Sequence, residues 1–298
     1  MQATERTRNR AGFTLVELIV SLLIGSILIT VVFQLLVGQT RTSGMQSARE
    51  EAQQNSRGAL EILGSELRSV MPRGLLSAEA QSLTFMQPRA WGLLCAPVAA
   101  GTQIDVLFPA ATSPGAWGVS DANGILIQQG ADYFPARQAN LAGSLSARAR
   151  ITGAQVLGAP GGVVCQNLAA QGNLQVVRVT SSVPLTGAQG DLVALYTLTR
   201  YDVATKDGEL WLRRNGGMSA ANTFNPQPLA GPIAPEPERF RLTYFNEAGV
   251  EVAPPGTNLA QLDAVRQIRF RVVTRSSQRV NGIAQRDSGE MQVLLRNN

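Results

Sequence analysis

From Phe13 to Val37 nearly every position is apolar, and the only ionisable residue in these 25 positions is Glu17. At 1.5 Å per residue the run makes about 37 Å of helix, enough to cross a bilayer. Glu17, Ser21, Gly25, Ser26, Thr30, Gln34 and Gly38 recur mostly four apart, a stripe of small and polar residues suited to close helix approach in lipid. Beyond Val37 the pattern stays helical but becomes amphipathic. Met45, Ala48, Ala52, Leu60, Leu63, Leu67 and Val70 fall at three- and four-residue steps, with Arg49, Glu50, Glu51, Arg57, Glu61, Glu66 and Arg68 on the other faces. The spacing predicts one helix over 13–71, closed by Pro72 and Gly74. Gly38, Gly44 and Gly58 are places where it could bend.

After Gly74 the period changes from about four to two. Alternating or apolar runs near 82–87, 102–108, 124–129, 149–157, 174–183, 192–203, 208–214, 239–246, 250–252, 265–275 and 289–296 predict a mainly antiparallel sheet. Two hairpins stand out, one turning at Asp207 and Gly208 and one between Asn246 and Gly249. Residues 88–172, rich in Gly, Ala, Pro and Gln, read as an irregular insertion, and Pro226 to Pro237 as a surface connection. The fold class is α+β: a long amino-terminal membrane-spanning helix packed on an antiparallel β head. Its expected parts are a leader over 1–12, a transmembrane part over 13–38, an amphipathic part over 39–72 and a head over 73–298.

Charge fixes the orientation. Arg6, Arg8 and Arg10 against Glu5 give the first twelve residues +2 of the net +5. Positive charge flanking a first apolar span stays cytoplasmic, which sends the head across the membrane. Cys95 and Cys165 then lie on the oxidising side, where a bridge would stabilise by roughly 4 kcal/mol on the chain-entropy model. Two buried free thiols are the other reading. A secretory signal peptide would have a shorter apolar region and a small-residue cleavage site.

The chain has no histidine and a single lysine, Lys206, which removes His-based nucleophile systems and His metal sites. The carboxylate couples Glu236/Glu238 and Asp207/Glu209 sit at predicted turns and read as solvated. No Asp-x-Asp-x-Asp-Gly loop is present, although Asp121, Asn123 and Asp132 are scattered nearby. The GAPGG run at 158–162 lacks the lysine of a phosphate-binding loop and reads as a turn. No enzyme, cofactor or metal is expected.

A lone carboxylate in an apolar span costs a few kcal/mol and needs a compensating partner. Gly12, Phe13, Thr14, Leu15, Val16 and Glu17 resemble the GFTLxE motif of type IV pilins and of the pseudopilins of type II secretion. The resemblance implies that a prepilin peptidase cuts after Gly12 and methylates the new terminus at Phe13. It also implies that Glu17 pairs with the terminal amine of a neighbouring subunit, so that each charge solves the other's burial problem. Many major pilins carry a proline partway along this helix, whereas here the first proline after the leader is Pro72.

LEILGSELRS at the end of the helix, together with Tyr201, Leu210, Arg213, Phe240, Tyr244, Gly249 and VRQIRFRVV, more diffusely resembles PilW-type minor pilins and J-type minor pseudopilins. The expected function is a minor pilin in pilus assembly and initiation, serving adhesion, twitching motility or DNA uptake. The alternatives are a minor pseudopilin and a pilin-anchored adhesin or DNA-binding head. Partners would be the peptidase/methyltransferase, other subunits, the inner-membrane assembly platform, membrane lipid and, more weakly, DNA. The head would stand in the periplasm on a single-pass inner-membrane anchor, and later in a pilus or pseudopilus at the cell surface. Pairing of 239–244 with 265–273 would turn Phe240, Leu242, Tyr244, Ile268, Phe270 and Val272 inward. It would leave Arg239, Arg241, Arg269 and Arg271, with Arg275 and Arg279 further along, as a basic surface.

Overall fold

The computed structural model describes residues 14–71, 73–110, 124–130, 132–134, 150–157, 165, 167–168, 172–218, 224–235, 239–280 and 282–295. Helix α1 (Leu15–Arg68) runs 54 residues without interruption, about 81 Å at 1.5 Å per residue. Thr14 caps it, its hydroxyl accepting the Glu17 N–H at 3.3 Å. With no proline before Pro72, nothing in the sequence breaks the ladder, and helical hydrogen bonding continues through Gly38, Gly44 and Gly58. The helix ends where the Ser69 N–H turns back to the Glu66 and Leu67 carbonyls.

Among the described residues fourteen strands follow, falling into two sheets in which every pair is antiparallel. The large sheet holds β1 (Leu75–Ala78), β2 (Leu83–Leu94), β3 (Val98–Pro109), β4 (Gly124–Gln129), β5 (Asp132–Phe134), β6 (Ile151–Leu157), β7 (Leu174–Gly187), β8 (Leu192–Lys206), β9 (Glu209–Met218) and β10 (Phe224–Ala230). Its order is β10-β9-β8-β2-β3-β7-β6, with β1 beside β2 and the β4–β5 hairpin beside β8. The small sheet runs β12 (Glu251–Val252), β11 (Arg241–Phe245), β13 (Gln267–Val280), β14 (Ile283–Leu294), and a short helix α2 (Leu259–Ala264) precedes β13.

Two cores result. The first gathers Leu60, Leu63 and Leu67 of α1 with Phe240, Leu242, Tyr244, Ile268, Phe270 and Val272 beneath them, and with Phe85, Tyr201 and Leu212 of the large sheet. The second lies within the large sheet among Ile104, Val106, Phe108, Ile125, Ile127, Val177, Val179, Val193 and Leu195. Strands β2 and β8 pass through both, Phe85 stacking on Tyr201 with ring centroids 6.2 Å apart in the first core. Each large apolar side chain so buried contributes roughly 1.5–3 kcal/mol.

Several elements differ from the sequence expectations. Within the stretch read as an irregular insertion, β3, β4 and β6 follow the runs expected near 102–108, 124–129 and 149–157, while the end of β2 and the short β5 are additional. Strand β2 continues past Pro88 because a bulge between Pro88 and Ala90 absorbs the missing N–H. Residues 226–230, read as connection, belong to β10, which tolerates Pro226 and Pro228 as the last strand in its sheet's order. The buried stripe of α1 begins at Ala48, leaving Met45 39% exposed. Strand β1 and helix α2 were too short to register as periodic patterns.

Candidate assembly and processing site

The first half of α1 stands clear of the head. Leu15, Leu22, Ile29 and Phe33 are 77%, 66%, 71% and 67% exposed, and none of the most apolar 18-residue window is buried. This is the one helix among the described residues long and apolar enough to cross a membrane. Exposed apolar surface on this scale is stable only in lipid or against other chains.

Glu17 lies in the first turn of this half, where the unpaired N–H groups of the helix end favour a carboxylate. Among the described residues the nearest arginine on α1 is Arg41, 24 positions and about 36 Å further along. A charge partner for Glu17 must therefore come from the amino-terminal end or from another chain. Gly12 and Phe13 lie outside the described residues. Along the polar stripe Ser21 donates to the Glu17 carbonyl at 2.7 Å and Thr30 to the Ser26 carbonyl at 2.8 Å. Those hydroxyl protons are satisfied within the helix, so the stripe offers a neighbour small side chains and acceptor oxygens rather than donors.

The second half of α1 is fastened to the head. Thr274 donates to the Ala52 carbonyl at 2.6 Å, Asn55 to the Gly231 carbonyl at 3.0 Å, and the Ser277 N–H to Glu51 at 3.1 Å. Ser56 bonds Asp287. Near the helix end Glu66 accepts from the Tyr201 hydroxyl and from Arg214, whose Nε lies 2.8 Å away. Burial, and then the Glu66 charge, push the Tyr201 hydroxyl well above the usual tyrosine range. The hydrogen bond to Glu66 raises Arg214 likewise. Close packing completes the joint: a side chain at Gly64 would meet Met291 Sδ at 2.5 Å, and one at Gly289 would meet Leu60 Cδ1 at 2.3 Å.

Sequence reasoning missed this joint. Glu66, Tyr201 and Arg214 each sit in a segment where a polar residue reads as solvent-facing. The legible signal was Gly64, since a glycine inside a helix costs about 1 kcal/mol and marks a close approach.

The arginines fall into two groups. Arg241 pairs directly opposite Arg271, and both line a cavity of about 250 Å³ with Arg269, Thr243, Glu251 and Glu290. Arg269 lies 3.4 Å from Glu290 and 4.7 Å over the Phe245 ring, so two carboxylates answer three cations there. Arg239 is half-buried and outside this cavity. Arg275 and Arg279 belong instead to the far end of β13, beside Arg286.

Cys95 and Cys165 are joined in a disulfide, their Cα atoms 5.4 Å apart, in a buried cluster with Leu107 and Val176. Asp207 and Gly208 form the β8–β9 turn with φ of 53° and 79°, and Glu209 is ion-paired with Arg275. Glu236, Glu238, Asp121, Asn123 and the 158–162 run lie outside the described residues. Among the described residues no three His, Cys, Asp or Glu side chains gather as a metal site.

Residues 7–33 match the family model described as the prokaryotic N-terminal methylation motif. Motif and architecture together, an apolar amino-terminal helix running into an antiparallel β head, are those of a type IV pilin-like precursor. The motif supports a structural subunit of a pilus or pseudopilus, processed by a prepilin peptidase, assembled with other such subunits and anchored in a membrane. No curated protein and no solved structure matches the chain.

Proposed function

We propose that the chain is a minor subunit of a type IV pilus, cut after Gly12, methylated at Phe13 and recruited at the start of assembly. The observation that carries the reading is Glu17: a carboxylate in the first turn of an exposed apolar helix, inside the matched motif and remote from any cation among the described residues. Cleavage next to Phe13 would create an ammonium at the membrane edge, and the Glu17 of one subunit would pair with the amine of the next. The two-sheet head over 73–298 favours a minor subunit, since a bulky head at every position would crowd a filament. The segment resembling PilW-type minor pilins supplies Tyr201 and the Leu60–Leu67 stripe, which sit in the same core.

The test is the intact mass of the chain expressed with a prepilin peptidase. The expected product lacks residues 1–12 and carries one methyl group on Phe13, and Gly12→Ala abolishes both changes. An unprocessed terminus in the unsubstituted chain would sink the reading. A pseudopilin is distinguished by phenotype: loss of the chain would stop type II secretion rather than surface piliation. Carboxylates at Glu251 and Glu290 beside Arg269 and Arg271 weigh against a DNA-binding head. If the head does bind DNA, affinity falls steeply with salt and Arg269→Glu abolishes it.

A further inference from the structure

Helix α1 covers one face of the small sheet, the β13–β14 hairpin lying along it from Phe270 beside Gly64 to Val280 beside Gly44. Alternation turns Arg269 and Arg271 to the opposite face, which carries the cavity of about 250 Å³ described above. Its charges are set out strand by strand. Glu251 stands on β12, Arg241 on β11, Arg269 and Arg271 on β13 and Glu290 on β14, so an acid borders the bases on each side of the sheet. Arg269 is committed within this set, lying 3.4 Å from Glu290, 3.3 Å from the Gln292 amide oxygen and over the Phe245 ring. Arg241, Arg271 and Glu251 are exposed and make no ion pair or side-chain hydrogen bond among the described residues.

This arrangement costs the isolated chain stability. Arg241 and Arg271 are directly opposite in register, and like charges so placed destabilise a sheet. Arg271 also stands opposite Glu290 on the other side, but that carboxylate is turned to Arg269. Directly opposed residues hold their Cβ atoms roughly 4.5–5.5 Å apart, close enough for both guanidinium groups to donate to one carboxylate arriving from outside. Such a carboxylate would remove the repulsion, and the planar guanidinium fork suits it. The cavity is smaller than the roughly 300–1,000 Å³ of small-molecule sites, a size for one side chain rather than a cofactor. Glu251 and Glu290 at its two sides repel an extended polyanion but admit a single acidic group, and the unengaged Glu251 suits a donor or cation next to that group.

We infer that this cavity is a docking point for one acidic side chain of a neighbouring protein subunit, its carboxylate held between Arg241 and Arg271 and an adjacent basic or amide group meeting Glu251. That the partner is a fellow subunit rests on the assembly reading above; the chemistry of the cavity does not. Replacing either arginine removes a charge-assisted contact and should weaken docking by roughly tenfold.

The test is titration calorimetry of the full chain in a neutral detergent against an end-blocked peptide, Gly-Ser-Glu-Lys-Ser-Gly, and its glutamine counterpart. The glutamate peptide should bind, more weakly as salt rises, and the glutamine peptide at least tenfold more weakly. Arg241→Gln and Arg271→Gln should each cost the glutamate peptide roughly tenfold in affinity. In the free chain Arg241→Gln should leave the unfolding midpoint unchanged or raise it, because it relieves the opposed charges. Equal binding of the two peptides overturns the inference. So does binding of hexaglutamate more than tenfold tighter than the single-glutamate peptide, because it assigns the cavity to a polyanion. A lower midpoint for Arg241→Gln makes that arginine a structural residue and overturns the inference as well. These readouts are separate from terminal processing: a chain left uncut after Gly12 that still binds the peptide refutes the pilus reading alone, and a processed chain that does not bind it refutes the docking alone.

Discussion

Gly64 and Gly289 set the distance between α1 and the small sheet, and the two do not respond alike to an added methyl. At Gly289 the new carbon would meet Leu60 Cδ1 at 2.3 Å, in a packed core. We expect Gly289→Ala to destabilise the head by about 1–3 kcal/mol in a chemical-denaturation midpoint. At Gly64 the obstacle is the flexible Met291 thioether, and replacing a helical glycine returns about 1 kcal/mol, so Gly64→Ala should come close to neutral. Tyr201 and Tyr244 make a second prediction at this scale. Both hydroxyls are buried, Tyr244 donating to the Glu79 carbonyl at 2.7 Å, and burial holds both above the usual tyrosine value of 10. Above that pH the unfolded chain releases these protons while the folded chain keeps them. Stability is then fully present below about pH 10 and falls as the pH rises past it. Tyr201→Phe/Tyr244→Phe should flatten that alkaline limb of the unfolding midpoint against pH, while costing about 1–2 kcal/mol per lost hydrogen bond at neutral pH.

Among the elements, those with a long and regular period were legible and those shaped by an exception were not. The apolar run and the Ala48–Leu67 stripe declared α1 because burial on one face of a helix repeats every three or four residues. Pairing of β11 with β13 followed from alternation, and the structure turns Phe240, Leu242, Tyr244, Ile268, Phe270 and Val272 inward as expected. The hairpin at Asp207 and Gly208 was readable because both residues accept the positive φ its turn requires. Strand β10 and the far end of β2 were hidden by proline, which local rules place in loops but which an edge strand and a bulge accommodate. The joint at Glu66 was hidden because its partners lie 135 and 148 residues away in the chain. The disulfide ties Cys165 to the residue that follows β2 across 70 positions of chain. Reducing it, or the paired substitution Cys95→Ser/Cys165→Ser, should lower stability by up to about 4 kcal/mol. Thermal melts with and without reductant would read this, and an unchanged midpoint would show that the bridge contributes nothing.

The molecule as a whole is a stem and a head that share one helix, so the place where the stem is cut decides what survives. A chain beginning at residue 42 retains the buried Ala48 and Ala52 together with Ala59, Leu60, Leu63 and Leu67 of the first core, and sheds the exposed apolar half. It should be soluble, folded and monomeric in size-exclusion chromatography. A chain beginning at residue 73 leaves Phe270, Tyr201 and the other residues of that core without a cover. It should aggregate or show the loose near-UV spectrum of an unpacked core. If both chains behave alike, the second half of α1 is dispensable to the head.

The anchorage of α1 along β13 and β14 also has a mechanical meaning. Its attachments are spread from Gly44 to Leu67, about 35 Å of helix, and the hairpin strands run nearly along the same line. Tension applied through the stem is thus directed along the seam, and the attachments share it instead of opening one after another like a zipper. A head held this way resists being stripped from its stem by a pull along the axis far better than by a sideways pry of the same strength.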